Sequence, residues 1–282
     1  MNYFKQAKKY KVKKSYLTHF LQTYWFIPSD VLQRGIEANI WDLCLFRRPI
    51  LDIGIGNGKI STFIFRNHPQ IDVGIDSDEN GLESAKRTKK YRKILHADAE
   101  NMPFKDASFY TIVSNSTFEH ITNDLKAVSE VARVLKNDGL FFITVPSEFL
   151  QKWVLEYEEK KNKDTSQENL NKFNKRTNHL HYRSLNNWKK YFQKNNLEMV
   201  FYKYYFSQET AMFWYKLFKI FTYTVSKREL WSYIEHSKIS HIIPKKVIIN
   251  LLEKRILGDV YKNAFFTNSE NGGQLFMVVQ KK

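Results

Sequence analysis

The chain has 282 residues, with 45 Lys+Arg against 29 Asp+Glu and a formal charge of +16. At 43% hydrophobic and 26% charged residues it lies in the globular range, which excludes wholesale disorder. Its single cysteine, Cys44, excludes an internal disulfide and a multi-cysteine zinc site, and suits a reducing compartment.

The N-terminal stretch MNYFKQAKKYKVKKSY has the positive flank of a leader but no apolar run behind it. No window reaches the roughly 18 uninterrupted apolar residues of a membrane span. A cytoplasmic protein, soluble or surface-bound, is expected. Only 11 of the 45 basic residues are arginine, and Lys, Asn, Ile, Phe and Tyr rise together, as an AT-rich coding sequence would give. A lysine-rich surface is weaker evidence for an anionic partner than the same charge in arginine.

Taken in chain order, residues 1–46 read as helical and basic on one side (Lys5, Lys8, Lys9, Lys11, Lys13, Lys14). Short apolar runs then alternate with helical patterns. Strands are expected at Ile50–Ile53, Ile71–Ile75, Lys93–His96, Phe109–Ser114 and Leu140–Val145. Helices are expected at Gly58–Arg66, Glu79–Lys90 and Asp124–Leu135. Glu158–Lys175, polar and rich in Lys and Asn, reads as a flexible stretch or lid. The alternation resumes with a helix at Ser184–Lys194 and strands at Glu198–Tyr205 and Leu275–Val279. Such a pattern predicts an α/β fold with a doubly wound, mostly parallel sheet. The organisation follows: an N-terminal helical cap (1–48), a core (49–207 and 270–282) and an aromatic, helical insertion (208–269).

Gly54, Gly56 and Gly58 fall within five residues, directly after the apolar strand and before a helix. Glycine lets the backbone turn tightly against a ligand there, and the helix N-terminus offers free N–H groups. Asp76 closes the second strand, with Ser77 beside it, where an acid can accept both ribose hydroxyls. Asp98 follows the third strand, within reach of an adenine amino group. Three consecutive strands thus end in nucleoside-binding elements. The dinucleotide fingerprint Gly-x-Gly-x-x-Gly is not met, because Lys59 stands at its last glycine. Asp52 before the loop would repel a pyrophosphate but suits an amino acid ammonium, which favours S-adenosylmethionine over NAD.

Leu51-Asp52-Ile53-Gly54-Ile55-Gly56-Asn57-Gly58 resembles motif I of the class I S-adenosylmethionine-dependent methyltransferases. The likeness extends through Asp76, through His96-Ala97-Asp98-Ala99, and through Phe109–Asn115 with Glu119-His120-Ile121. It covers residues 49–146 firmly and 184–205 with 274–280 loosely. It implies a seven-stranded sheet whose last strand runs antiparallel, and S-adenosyl-L-methionine as cofactor. It also implies roles: Asp52, Gly54 and Gly56 at the methionine end, Asp76 at the ribose, Asp98 and the Ala99 N–H at the adenine, and the backbone around Ser114 at the methionine amino group. Ile55 departs from the usual Cys or Gly.

A hydroxyl acceptor would also need a base, for which His120 and His181 are the candidates; His179 and Tyr182 accompany the second. No Pro-Pro-aromatic run follows the fourth strand, which disfavours nucleobase amines. Ser114 and Asn115 supply no carboxylate cluster, so no metal is expected. In Ala211–Lys227 the residues Phe213, Trp214, Leu217, Phe218, Ile220, Phe221 and Val225 fall on one side, opposite Lys216, Lys219 and Lys227. Internal packing is the favoured reading of that face, with a peripheral membrane contact or a dimer as alternatives. The expected function is O-directed methyl transfer to a small-molecule, glycan or lipid-linked acceptor. A nucleic-acid methyltransferase, supported by the charge, and a non-catalytic S-adenosylmethionine-binding subunit remain the alternatives.

Overall fold

The computed structural model describes residues 11–237, 244–267 and 269–282, so the basic side at Lys5, Lys8 and Lys9 lies outside the described residues, as do 238–243 and 268 of the insertion. The chain opens with two helices, α1 (Lys14–Tyr24) and α2 (Pro28–Leu43). Strands β1 (Ile50–Ile53), β2 (Ile71–Asp76), β3 (Tyr91–His96), β4 (Phe109–Asn115) and β5 (Leu135–Pro146) pair in parallel. Short helices α3 (Lys59–Ile64) and α4 (Leu82–Arg87) and the longer α5 (Asp124–Val134) connect them. The expected helix 79–90 begins instead as a 3-10 turn at Glu79–Gly81.

After β5 come α6 (Glu148–Lys161), α7 (Lys163–Thr177), α8 (Leu185–Lys194) and β6 (Leu197–Tyr205). The insertion starts with α9 (Gln208–Phe221), a hairpin of β7 (Thr224–Val225) and β8 (Arg228–Glu229), and α10 (Leu230–His236). Helices Lys245–Leu251 and Gly258–Asn263 follow, and β9 (Gln274–Lys281) returns to the sheet. The sheet has seven strands in the order β3-β2-β1-β4-β5-β9-β6, with β9 antiparallel to both neighbours. β1 is buried along its whole length, as a strand covered on both faces must be.

The expected flexible stretch at 158–175 is corrected. It is helical, because Leu150, Trp153 and Val154 on α6 and Leu170 and Phe173 on α7 recur at helical spacing and are buried. Asn162 breaks the two helices apart and caps the second, its side chain accepting from the Asp164 N–H at 3.0 Å. Glu158 ties the layer together, accepting from Asn169 at 2.8 Å, Tyr215 at 3.1 Å and Lys219 at 2.7 Å.

The amphipathic helix ends earlier than expected, at Phe221, and Ser226 and Lys227 turn the hairpin with positive φ. Ala211, Trp214 and Tyr215 are buried, and Phe213, Leu217 and Phe218 are half-buried against the same cluster. Ile220 and Val225, placed on that face by the sequence, stay exposed at 54% and 43%. The insertion also grips the cap: the Asn39 amide of α2 donates to the Tyr261 hydroxyl at 2.7 Å.

Candidate active site

The glycine loop sits at the C-terminal edge of β1, beside the point where the strand order reverses between β1 and β4. Open α/β sheets bind ligands in such crevices. Gly54 has φ +82°, and a Cβ there would lie 2.2 Å from Thr117 Oγ1, so any other residue is excluded. At Gly56, φ is +51° and none of the described residues lies within 4 Å of a Cβ position, leaving backbone open to the cleft. Asp76 holds this loop: its Oδ2 accepts the Gly56 N–H at 2.6 Å, and its Oδ1 accepts the Asp78 N–H at 2.8 Å.

The cleft measures about 350 Å³. Of the residues expected at the cofactor, Gly54, Gly56, Asp76, Ser77, Asp98 and Ala99 line it. The side chains of Asp52 and Ser114 do not line it. Asp52 is 1% exposed and its Oδ2 accepts the Tyr91 hydroxyl at 2.6 Å; burial pushes its carboxyl up to about 7. The buried Ser114 hydroxyl donates to the Ile53 carbonyl at 3.2 Å. Both support the loop from beneath.

The two candidate bases part company. His120 lines the cleft, on a 3-10 turn at Phe118–His120. His181 does not; its Nε2 faces the carbonyls of Ile121 at 3.0 Å and Thr122 at 3.2 Å. It belongs to a strap, residues 178–183, laid across 119–124. The Leu180 N–H donates to the Glu119 carbonyl at 2.8 Å, His120 Nδ1 donates to the Asn178 carbonyl at 2.8 Å, and Arg183 forks onto the buried Asp124.

A second cavity of about 210 Å³ adjoins the cleft and shares Ser116 and His120 with it. Its walls come from α2 (Asp30, Gln33, Arg34), the 3-10 turn (Glu119), the end of α7 (Arg176) and α9 (Trp214, Phe218). Arg34 donates to Glu37 at 2.7 Å and to the Ser116 hydroxyl at 3.2 Å. Glu37, fully buried, also accepts from Asn115 at 3.0 Å. Burial pushes the Glu119 carboxyl up to about 8 and holds His120 below the ordinary imidazole value. His179 drops to about 3 by burial, with His120 and Arg34 acting the same way. Glu119 Oε2, Trp214 Nε1 and Gln274 Oε1, all at this cavity, lack hydrogen-bond partners among the described residues.

Sequence reasoning gave none of Arg34, Glu37 or Tyr91 a role at the site. Their signals, a charge pair three residues apart on an apolar helix and a tyrosine opening a strand, are common. It quoted Glu119 as part of a motif but gave it no role.

Residues 51–143 match the family described as a methyltransferase domain. A demethylmenaquinone methyltransferase of Thermotoga maritima is 28% identical over 138 residues, 49% of this chain and 56% of the relative. A malonyl-[acyl-carrier protein] O-methyltransferase of Geobacter sulfurreducens is 34% identical over 97 residues, 33% of this chain and 36% of the relative. The chain thus spans about half or less of the length of these relatives. A solved structure from Thermotoga maritima, described as a SAM-dependent methyltransferase and possible histamine N-methyltransferase, superposes with a TM-score of 0.53. That superposition covers 95% of this chain and 99% of the other at 18% identity, a likeness of fold.

Proposed function

The chain belongs to the class I S-adenosylmethionine-dependent methyltransferases, and from that premise we propose that it methylates a hydroxyl oxygen of a small-molecule, glycan or lipid-linked acceptor held in the second cavity. The observation that carries this reading is the meeting of the two cavities at Ser116 and His120.

In this reading Asp98 and Ala99 hold the adenine and Asp76 the ribose, while Gly54 and Gly56 lie against the methionine end. The open backbone at Gly56 and the loop clamped by Asp76 fit such a ligand. When bound, the cofactor supplies a sulfonium methyl; transfer breaks C–S, forms C–O, leaves the electron pair on sulfur and frees the hydroxyl proton. His120 is placed to take that proton. Its Nδ1–H is committed to the Asn178 carbonyl, so Nε2 carries the free lone pair. Its depressed pKa keeps it neutral at pH 7. Trp214 and Phe218 exclude water from the acceptor side and help set its orientation.

The test is release of S-adenosylhomocysteine from purified protein given methyl-labelled cofactor and a panel of hydroxylated metabolites and lipid-linked sugars. Label in such an acceptor is expected. Label confined to RNA would overturn the reading.

A further inference from the structure

Three side chains of metal-ligating type converge where the two cavities meet. Glu119, His120 and His179 bring potential ligand atoms within 4.8 Å of one another. Glu119 is 2% exposed, and its Oε2 has no hydrogen-bond partner among the described residues. Such an orphan is costly unless something absent from the protein itself satisfies it.

Both imidazoles are turned by outer hydrogen bonds. His120 Nδ1 donates to the Asn178 carbonyl at 2.8 Å. The Tyr182 hydroxyl gives its proton to Asn174 Oδ1 at 2.9 Å, and so accepts from His179 Nδ1 at 2.7 Å. Each ring therefore keeps its proton on Nδ1 and presents Nε2 as a lone pair. Metal-bound histidines are oriented in this manner. Two imidazole lone pairs and, once a metal ion displaces the Glu119 proton, one carboxylate oxygen form a set of acceptors.

The surrounding charge agrees. Arg34 is committed to Glu37, and Arg176 to Glu229. Asp30 and Glu119 also face this cavity, and burial raises the pKa of both. Both guanidiniums are thus paired, and a divalent cation binding here displaces the Glu119 proton.

We propose that Glu119, His120 and His179 hold a divalent transition-metal ion at the junction of the cofactor cleft and the acceptor cavity, through one carboxylate oxygen and two imidazole Nε2 atoms. Two histidines and one carboxylate leave coordination positions open, and imidazole ligands suit zinc, iron or nickel over magnesium. The open positions take the acceptor's oxygen. A bound ion would lower the pKa of that hydroxyl; His120 would then be a ligand, and the proton would leave to bulk solvent through the cofactor cleft instead of to His120. The role of the ion rests on the second cavity being the acceptor pocket; its binding does not.

The experiment titrates untagged, chelator-stripped protein with zinc chloride by calorimetry, and with cobalt(II) by visible absorption. One ion per chain is expected, with ligand-field bands for cobalt. Glu119→Gln and His179→Ala should abolish binding, and Tyr182→Phe, which removes only the hydroxyl behind His179, should weaken it roughly 10- to 100-fold. His181→Ala, whose ring faces backbone carbonyls, should leave binding unchanged. S-adenosylhomocysteine affinity, measured on every preparation, reports that each variant is folded. Absence of cobalt bands in the wild type, or zinc binding indifferent to Glu119→Gln and His179→Ala, overturns the metal site. If S-adenosylhomocysteine still binds and methyl transfer persists without metal, the proposed function survives that failure.

Discussion

The Tyr91 hydroxyl donates to Asp52 Oδ2 at 2.6 Å and joins β3 to β1 beneath the glycine loop, across the intervening β2. Gly74 on β2 makes this possible, since a Cβ there would lie 2.8 Å from the Tyr91 ring. The acid before the loop is thereby a buried support.

A pH dependence follows. Burial raises the folded-state pKa of Asp52 to about 7, whereas the unfolded chain titrates near the ordinary value of about 4. The folded state then binds more protons between these values, so the contribution of Asp52 is intact below pH ~4 and is lost as pH rises to about 7. Denaturant melts of wild type and Asp52→Asn should diverge in favour of the variant across that window and run parallel above it. A constant difference would show that Asp52 is ionised throughout.

The glycine loop should be intolerant at Gly54. An alanine there combines φ +82° with a contact of 2.2 Å to Thr117. Gly54→Ala should therefore lose S-adenosylhomocysteine binding by calorimetry. Asp76→Ala releases the Gly56 N–H and removes the expected ribose acceptor, and should cost about tenfold or more in affinity. Unchanged affinity in Asp76→Ala would sink the ribose role.

Phe218 stacks on Trp214 with centroids 5.4 Å apart and meets Phe173 edge-on at 5.3 Å. Phe218→Asp sets a carboxylate among these rings, and should lower the melting temperature or aggregate the protein. If the variant were folded and monodisperse but had lost binding to anionic vesicles, the face would belong to a membrane.

The strap depends on Arg183. Asp124 is 1% exposed and receives the Arg183 fork, with His181 3.9 Å away. Arg183→Ala leaves that carboxylate poorly compensated and should destabilise the fold by about 3 kcal/mol in chemical denaturation. A loss under 1 kcal/mol would mean that His181 or water replaces the guanidinium.

Much of the fold was legible because its signals are local. A strand buried on both faces needs an apolar run, and a turn at positive φ needs glycine; hence Ile50–Ile53 and Gly54–Gly58 could be read one after another. Asp76 and Asp98 were legible because strand ends in a parallel sheet point to one edge. The polar composition of 158–175 misled, since the few apolar residues that make it helical, Leu170 and Phe173, count only against Trp214 and Tyr215 of a distant helix.

The sequence by itself determined the doubly wound sheet and the cleft residues from Gly54 to Ala99, since each depends on periodicity or on steric need within a few neighbours. Tertiary structure alone decided that Asp52 faces Tyr91 instead of the cleft, and that His181, part of the strap, faces the Ile121 and Thr122 carbonyls. It also brought His179 to His120 across 59 positions. Burial and hydrogen-bond direction depend on which distant segment packs alongside, and no local spacing encodes that.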